Sequence, residues 1–180
     1  MPTIYLFAGS NGAGKTTFAR AYLRLLDPIP RFLNADEIAR GLSPLEPQKL
    51  ALKAGRLLLH EIHDSLKSRV SIGLESTLSG TTHAKWIQHA KSLGYQIELH
   101  YLWIPSPDLA IRRIRQRVKM GGHHIPEADV RRRFDRSRIN FAKLYTPLVD
   151  LWTVWDNRPK PPHLLLSSES ATLSQFTNLQ

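Results

Sequence analysis

Residues Gly9-Ser10-Asn11-Gly12-Ala13-Gly14-Lys15-Thr16 fit the pattern GxxxxGK[ST] without a gap. The flanks matter as much as the letters. Thr3–Ala8 is a short apolar run, and Lys15–Leu26 has helical character up to Asp27-Pro28. A strand, a glycine-rich turn and a helix in direct succession is the context this motif requires. The physical reason is specific: glycines let consecutive backbone N–H groups converge on phosphate oxygens, and the helix N-terminus adds positive potential. Gly9, Ser10, Asn11, Gly12, Ala13, Gly14, Lys15, Thr16 and Thr17 are therefore the expected cradle of the phosphates of ATP. Lys15 is placed to neutralise the β- and γ-phosphates, and the Thr16 hydroxyl to bind Mg²⁺.

The rest of the chain continues the alternation. Strand-like runs at Arg31–Asn34, Val70–Leu74, Tyr95–Ile104 and Leu151–Trp155 are separated by helical patterns at Asp36–Arg40, Pro47–Arg69, Thr82–Leu93 and Asp108–Met120, and from Pro126 to about Lys143. His163–Leu166 is a candidate sixth strand. Such alternation predicts an α/β fold of the P-loop NTPase type, with a mainly parallel sheet of about five strands and helices on both faces. One domain over residues 1–166 is expected, with a helical lid at about 108–143 and a Ser/Thr-rich flexible tail at 167–180. Function in these sheets gathers at the carboxyl ends of the strands.

That rule points to two carboxylates. Asp36 follows the second strand in Asn34-Ala35-Asp36-Glu37. It suits a helix N-cap, and it also suits a general base taking a proton from an acceptor hydroxyl, as a kinase needs. Glu75 ends the third strand in Glu75-Ser76-Thr77. A carboxylate leaving a buried strand needs a partner, either substrate hydroxyls or a water-mediated Mg²⁺ contact.

Charge singles out one more segment. Residues 112–143 hold 11 basic residues against 3 acids, a balance of +8 within a chain of +10. A localised positive field implies a polyanionic partner. Gly121-Gly122 divides this segment into two basic helices, which describes a hinged flap. In phosphoryl transfer a flap carries arginine to the moving phosphate and excludes water. Arg117, with Arg133 or Arg136, is the expected pair, and His123 in the hinge is placed near a substrate phosphate. Most of the other basic residues are expected to be solvated surface. The tryptophans do not interleave with the arginines, which argues against single-stranded nucleic acid as the partner.

Other classes are excluded by composition. With no cysteine there are no disulfides or thiolate zinc sites, and the chain suits a reducing cytoplasm. No apolar run approaches the ~18 residues that span a bilayer, so no membrane is expected as a partner, and Met1–Phe7 lacks the basic start of a secretory leader.

The ordered motifs together resemble the zeta toxin family of P-loop kinases, in a short single-domain form. The likeness runs through Phe7–Thr17, Asn34–Ala39, Glu75–Gly80, Arg117–Pro126, Arg132–Ser137 and Trp155–Asn157, covering roughly residues 3–158. It implies transfer of the ATP γ-phosphate to the 3′-hydroxyl of the amino sugar of UDP-N-acetylglucosamine. It also implies Lys15 and Thr16 on ATP–Mg²⁺, Asp36 as general base, Glu75 and Thr77 on the acceptor, Arg117 with a second flap arginine on the phosphate, and an antitoxin protein as a partner. Two other readings stand beside it: a kinase for nucleosides or nucleic-acid ends, and a nucleic-acid-binding ATPase.

Overall fold

Thr3–Ala8 forms the central strand β1, because five of its six residues are buried and only a strand covered on both faces can bury consecutive side chains. The computed structural model of the chain describes residues 1–122, 124–171 and 173–179, the side chain of Leu173 excepted. The phosphate-loop segment leads from β1 into helix α1 (Lys15–Leu23), and strand β2 (Arg31–Leu33) leads into helix α2 (Ala35–Leu42). A 3₁₀ turn at Pro47–Leu50 precedes helix α3 (Ala51–Ser68), followed by strand β3 (Ile72–Ser76), helix α4 (Thr82–Ser92) and strand β4 (Gln96–Trp103). Helices α5 (Pro107–Lys119) and α6 (Glu127–Asn140) come next, then strands β5 (Leu151–Asp156) and β6 (His163–Ser167) and helix α7 (Leu173–Thr177).

The sheet order is β2-β3-β1-β4-β5-β6. The first five strands are parallel, and β6 pairs antiparallel with β5 at the edge. The α/β architecture with a mostly parallel sheet is as expected, with six strands rather than five. Alternating side chains of β1 divide the core into two layers. Ile4, Leu6 and Ala8 pack toward α3 and α4 with Ile62, Leu66 and Ile87. Phe7 faces α1, α5 and α6 with Phe18, Ile111, Ile114 and Phe134. Each fully buried side chain of this size contributes roughly 1.5–3 kcal/mol on leaving water.

Three features of the fold bear on these expectations. The third strand lies two residues later than its apolar run suggested, so Glu75 is inside the strand, opposite Phe7 in the parallel ladder. The connection before it turns at Arg69, whose φ of 54° caps α3 in the left-handed region. Second, the Ser/Thr-rich segment after β6 is packed in part. Phe176 of α7 is only 1% exposed and packs against Phe141 at 4.6 Å between ring centroids, while Arg138 donates to the Leu179 carbonyl at 2.7 Å. One aromatic residue is enough to anchor a Ser/Thr-rich stretch that composition alone reads as loose. Third, the basic helix pair packs on the sheet: Ile111, Ile114, Val130 and Phe134 are buried there.

His100 on β4 lies in the second layer, stacked on Phe7 at 5.3 Å and close to Tyr22 at 4.4 Å. Its Nδ1 bonds Thr153 Oγ1 at 2.8 Å, and burial pushes its pKa down from 6.5 to about 4. Above pH 6.5 the imidazole is neutral in the folded and unfolded chain alike. Between 6.5 and about 4 the unfolded chain takes up a proton that the folded chain refuses, so stability falls as pH falls. Below that the loss levels at roughly 3 kcal/mol. Burial raises the pKa of neighbouring Glu98, which acts in the opposite sense. Denaturant melts of the wild-type chain and His100→Phe from pH 7 to 4 isolate the imidazole: the variant is expected to lose less stability on acidification. Parallel curves would assign the acid sensitivity elsewhere.

Candidate active site

The loop after β1 closes on itself through Ala13 N–H to the Ser10 carbonyl at 3.2 Å, and α1 starts with Phe18 N–H on the Gly14 carbonyl. Gly14 carries φ 87°, and a Cβ there would strike the Asn157 side-chain amide, so this position requires glycine on both counts. The outer rim of the loop is held from a distance. Asn157, just past β5, donates from Nδ2 to the Ala13 carbonyl at 2.5 Å. Arg113 of α5 donates to the carbonyls of Gly12 at 3.4 Å and Asn157 at 3.0 Å. Sequence reasoning gave neither Arg113 nor Asn157 a role at the site. No local pattern could have found them, because their partners are 101 and 144 residues away.

Lys15 is 7% exposed, and its Nζ donates to the Ser10 carbonyl at 3.1 Å. Burial pushes the pKa of its ammonium down, the carboxylates of Glu75 and Asp36 pull it up, and the charge of Arg117 pushes it down again. Four of the expected site residues thus meet in one electrostatic neighbourhood. Glu75 is its hub. Its Oε2 accepts from Thr16 Oγ1 at 2.7 Å and from Asn34 Nδ2 at 2.8 Å, while Oε1 lies 3.7 Å from Lys15 Nζ. The register of β3 against β1 produces this meeting, since it sets Glu75 beside the strand that runs into the loop. In the structure Glu75 therefore faces Lys15 and Thr16.

Asp36 is not the N-cap of α2. That role belongs to Asn34, whose side chain accepts from the backbone N–H of Asp36 at 2.8 Å and of Glu37 at 3.2 Å. Asp36 sits in the first turn, where the helix dipole favours its charge. It also lines a cleft of about 160 Å³ between α2 and α3 with Ala39, Arg40, Pro47 and Gln48. Glu37 pairs instead with Arg20 at the surface. On the other side of Glu75, Thr77 Oγ1 and Ser79 Oγ lie 2.8 Å apart around Leu78. Leu78 is fully buried at φ 53°, a left-handed conformation that costs a non-glycine residue of order 1 kcal/mol or more. Asn140 holds this turn through the Leu78 carbonyl at 2.7 Å, and Tyr145, at the end of a π-helical turn over Phe141–Tyr145, through the Gly80 carbonyl at 2.6 Å. Backbone strain of this kind persists where surrounding contacts enforce it.

The basic segment is sorted by its partners. Arg115 pairs with Glu127, Arg131 with Asp108 at 2.6 Å and Arg132 with Asp129 at 2.7 Å. Arg117 is exposed, and its charge reaches Lys15. The glycines after α5 form a helix stop. Gly122 N–H bonds the Arg117 carbonyl at 2.9 Å and Gly121 N–H the Val118 carbonyl at 3.0 Å, with Gly121 at φ 82°. This is a Schellman C-cap, so these glycines terminate α5. A Cβ at Gly122 would lie 2.5 Å from Arg117 Cγ, so the same cap fixes where Arg117 stands. Arg133 is half-buried and Arg136 exposed, and the charge of Arg133 acts on Asp129. Among the described residues neither is brought into hydrogen-bond contact with Lys15, Asp36 or Glu75. His123 lies outside the described residues.

The donor set fits Mg²⁺. Thr16 and Glu75 present hard oxygens side by side at the phosphate lysine, and Mg²⁺ in such sites takes few protein ligands, completing its octahedron with phosphate and water. Among the described residues no cluster of three or more His, Cys, Asp or Glu forms a metal cage, and no helix is long and apolar enough to cross a membrane.

Comparison with known proteins adds the following. A family model described as an AAA domain matches residues 4–139. A Haemophilus influenzae protein described as uncharacterized is 33% identical over 128 residues, covering 71% of this chain and 89% of that protein. Among solved structures, one of the PezAT chromosomal toxin–antitoxin system of Streptococcus pneumoniae superposes with a TM-score of 0.73 at 18% identity, covering 100% of this chain and 77% of that one. The AvrRxo1-ORF1:-ORF2 complex with ATP gives 0.72 at 20% identity, covering 93% of this chain and 58% of that one. At such identities the two structures show a shared P-loop kinase-like fold.

Proposed function

We propose, from the premise that this chain belongs to the AAA domain family, that it is an ATP-dependent phosphotransferase acting on a sugar hydroxyl of a UDP-activated amino sugar, UDP-N-acetylglucosamine by preference. The observation that carries the phosphotransferase reading is the placing of two carboxylates around one buried lysine: Glu75 on the nucleotide side and Asp36 at the mouth of the α2–α3 cleft. The fold of the ATP-containing AvrRxo1 complex supports ATP as the donor. The ordered segments shared with zeta toxins support the amino-sugar acceptor, and the fold of the PezAT toxin–antitoxin system supports an antitoxin as protein partner.

In this reading the backbone of Gly9–Thr17 and the Lys15 ammonium bind the phosphates. Thr16 and Glu75 would hold Mg²⁺, which supplies charge neutralisation between the β- and γ-phosphates. Thr77 and Ser79 orient the acceptor, and Asp36 accepts the proton of its hydroxyl. The acceptor oxygen forms its bond to the γ-phosphorus as the bond to the β-phosphate oxygen breaks, and ADP leaves. Arg117, with Arg133 or Arg136 moving to join it, bears on the charge of the transferring group. His123 keeps its proposed place beside a substrate phosphate.

The internal pairing of Arg115, Arg131 and Arg132 weakens the case for a polynucleotide, because those guanidinium groups already have carboxylate partners. ATP consumption against a panel of UDP-sugars, nucleosides and oligonucleotides tests the acceptor directly. Stimulation by UDP-N-acetylglucosamine is expected, with a shallow salt dependence. Stimulation by oligonucleotides alone, falling steeply with salt as several counterions are released, would replace the sugar with a nucleic-acid end.

A further inference from the structure

Asn34 makes more contacts than a cap requires. The residue is 7% exposed, and both ends of its side chain are engaged. The carbonyl Oδ1 accepts from the N–H groups of Asp36 and Glu37, and the amide Nδ2 donates to Glu75 Oε2 at 2.8 Å. Only this orientation of the amide suits both neighbours, since two N–H donors face one end and a carboxylate faces the other. Ser, Thr and Asp cap helices about as well as Asn. None of them can cap with an acceptor atom and at the same time offer a separate N–H₂ donor to a carboxylate.

We infer that Asn34 is a positioning residue that locks the nucleotide-side carboxylate, Glu75, to the acceptor-side carboxylate, Asp36. The inference rests on the phosphotransferase reading above. Two donors, Thr16 Oγ1 at 2.7 Å and Asn34 Nδ2, converge on one carboxylate oxygen, which leaves Oε1 turned toward Lys15. The Thr16 hydroxyl proton is thereby committed to Glu75, and its lone pairs are left for a cation. At its other end Asn34 sets where α2 begins, and so where Asp36 stands in the first turn. The contact spans 41 residues of sequence and joins β2 to β3 at their carboxyl ends, the edge on which both halves of the site are built.

Three variants separate this role from simple capping. Asn34→Ser and Asn34→Asp keep a cap acceptor and lose the amide donor, whereas Asn34→Ala loses both. Asn34→Ala is expected to melt about 2–4 °C below wild type, with the Ser variant close to wild type and the Asp variant lowered by the repulsion between its carboxylate and Glu75. All three are expected to lose about 10- to 100-fold in kcat, the size of effect seen when a residue that orients a metal ligand is removed. The gain in ATP affinity on adding Mg²⁺, measured by calorimetry without acceptor, is expected to shrink in all three. Should Asn34→Ala fail to fold, the Ser and Asp variants carry the comparison. If either restores both melting temperature and kcat, Asn34 is a cap and nothing more. Wild-type binding of MgATP with no transfer to any acceptor would sink the phosphotransferase reading instead, while a lost Mg²⁺ response in Asn34→Ser would still support the coupling.

Discussion

Lys15→Ala is expected to lower ATP affinity by about 10–100-fold, the worth of a charge-assisted hydrogen bond to phosphate, and transfer by about a further 10²–10³-fold. The reasoning is electrostatic. The ammonium is nearly buried, and it is held there by Glu75 and Asp36 against a burial penalty that pushes its pKa down. A charge kept in so poor a solvent interacts strongly with an arriving phosphate, because little water screens it. No other cation is buried in the loop; the exposed Arg117 acts from outside it. Glu75 keeps its Thr16 and Asn34 donors in the variant, so the fold is expected to persist. Calorimetric ATP titration and a cooperative thermal melt check the two halves together. ATP affinity within threefold of wild type would remove Lys15 from the nucleotide site.

Asp36→Asn is expected to act on the other half of the reaction. Transfer should fall by about 10²–10⁴-fold, the usual worth of a positioned general base, while ATP affinity stays within a few-fold of wild type. The structure makes this substitution a clean test. Since Asn34 caps α2, the change at Asp36 removes a carboxylate from the first turn without removing the cap. The helix loses a favourable charge at its N-terminus, worth about 0.3–1 kcal/mol. Burst and steady-state kinetics with the acceptor identified by the panel would measure the loss. Turnover within tenfold of wild type would leave Asp36 as a first-turn acid with no part in proton transfer.

How much of this was legible beforehand depends on the range of the interactions. The cradle Gly9–Thr17 was readable because its chemistry lies within nine consecutive residues. Asp36 and Glu75 were readable as candidates because strand ends are where such sheets place chemistry. Their roles were not. An N-cap was one of two roles open to Asp36; Asn34 two residues earlier holds the cap, because Asn and Asp are near-equal caps and only the hydrogen bonds decide. Gly121-Gly122 is legible as a helix break, but its cap geometry shows only in the bonds to Arg117 and Val118. The packing within the tail was not legible in composition because one buried ring, Phe176, is outnumbered by its polar neighbours.

By itself the sequence determined the strand, loop and helix of the P-loop motif, the α/β alternation and the places where the carboxylates would emerge. All of these follow from local steric preference and hydrophobic period. The tertiary structure alone decided which side chains meet. Thr16 and Glu75 are 59 residues apart, Asn34 and Glu75 are 41, and Asn157 and Ala13 are 144. Those meetings are fixed by the order β2-β3-β1-β4-β5 and the register of each pair, which arise from burying both faces of the sheet at once.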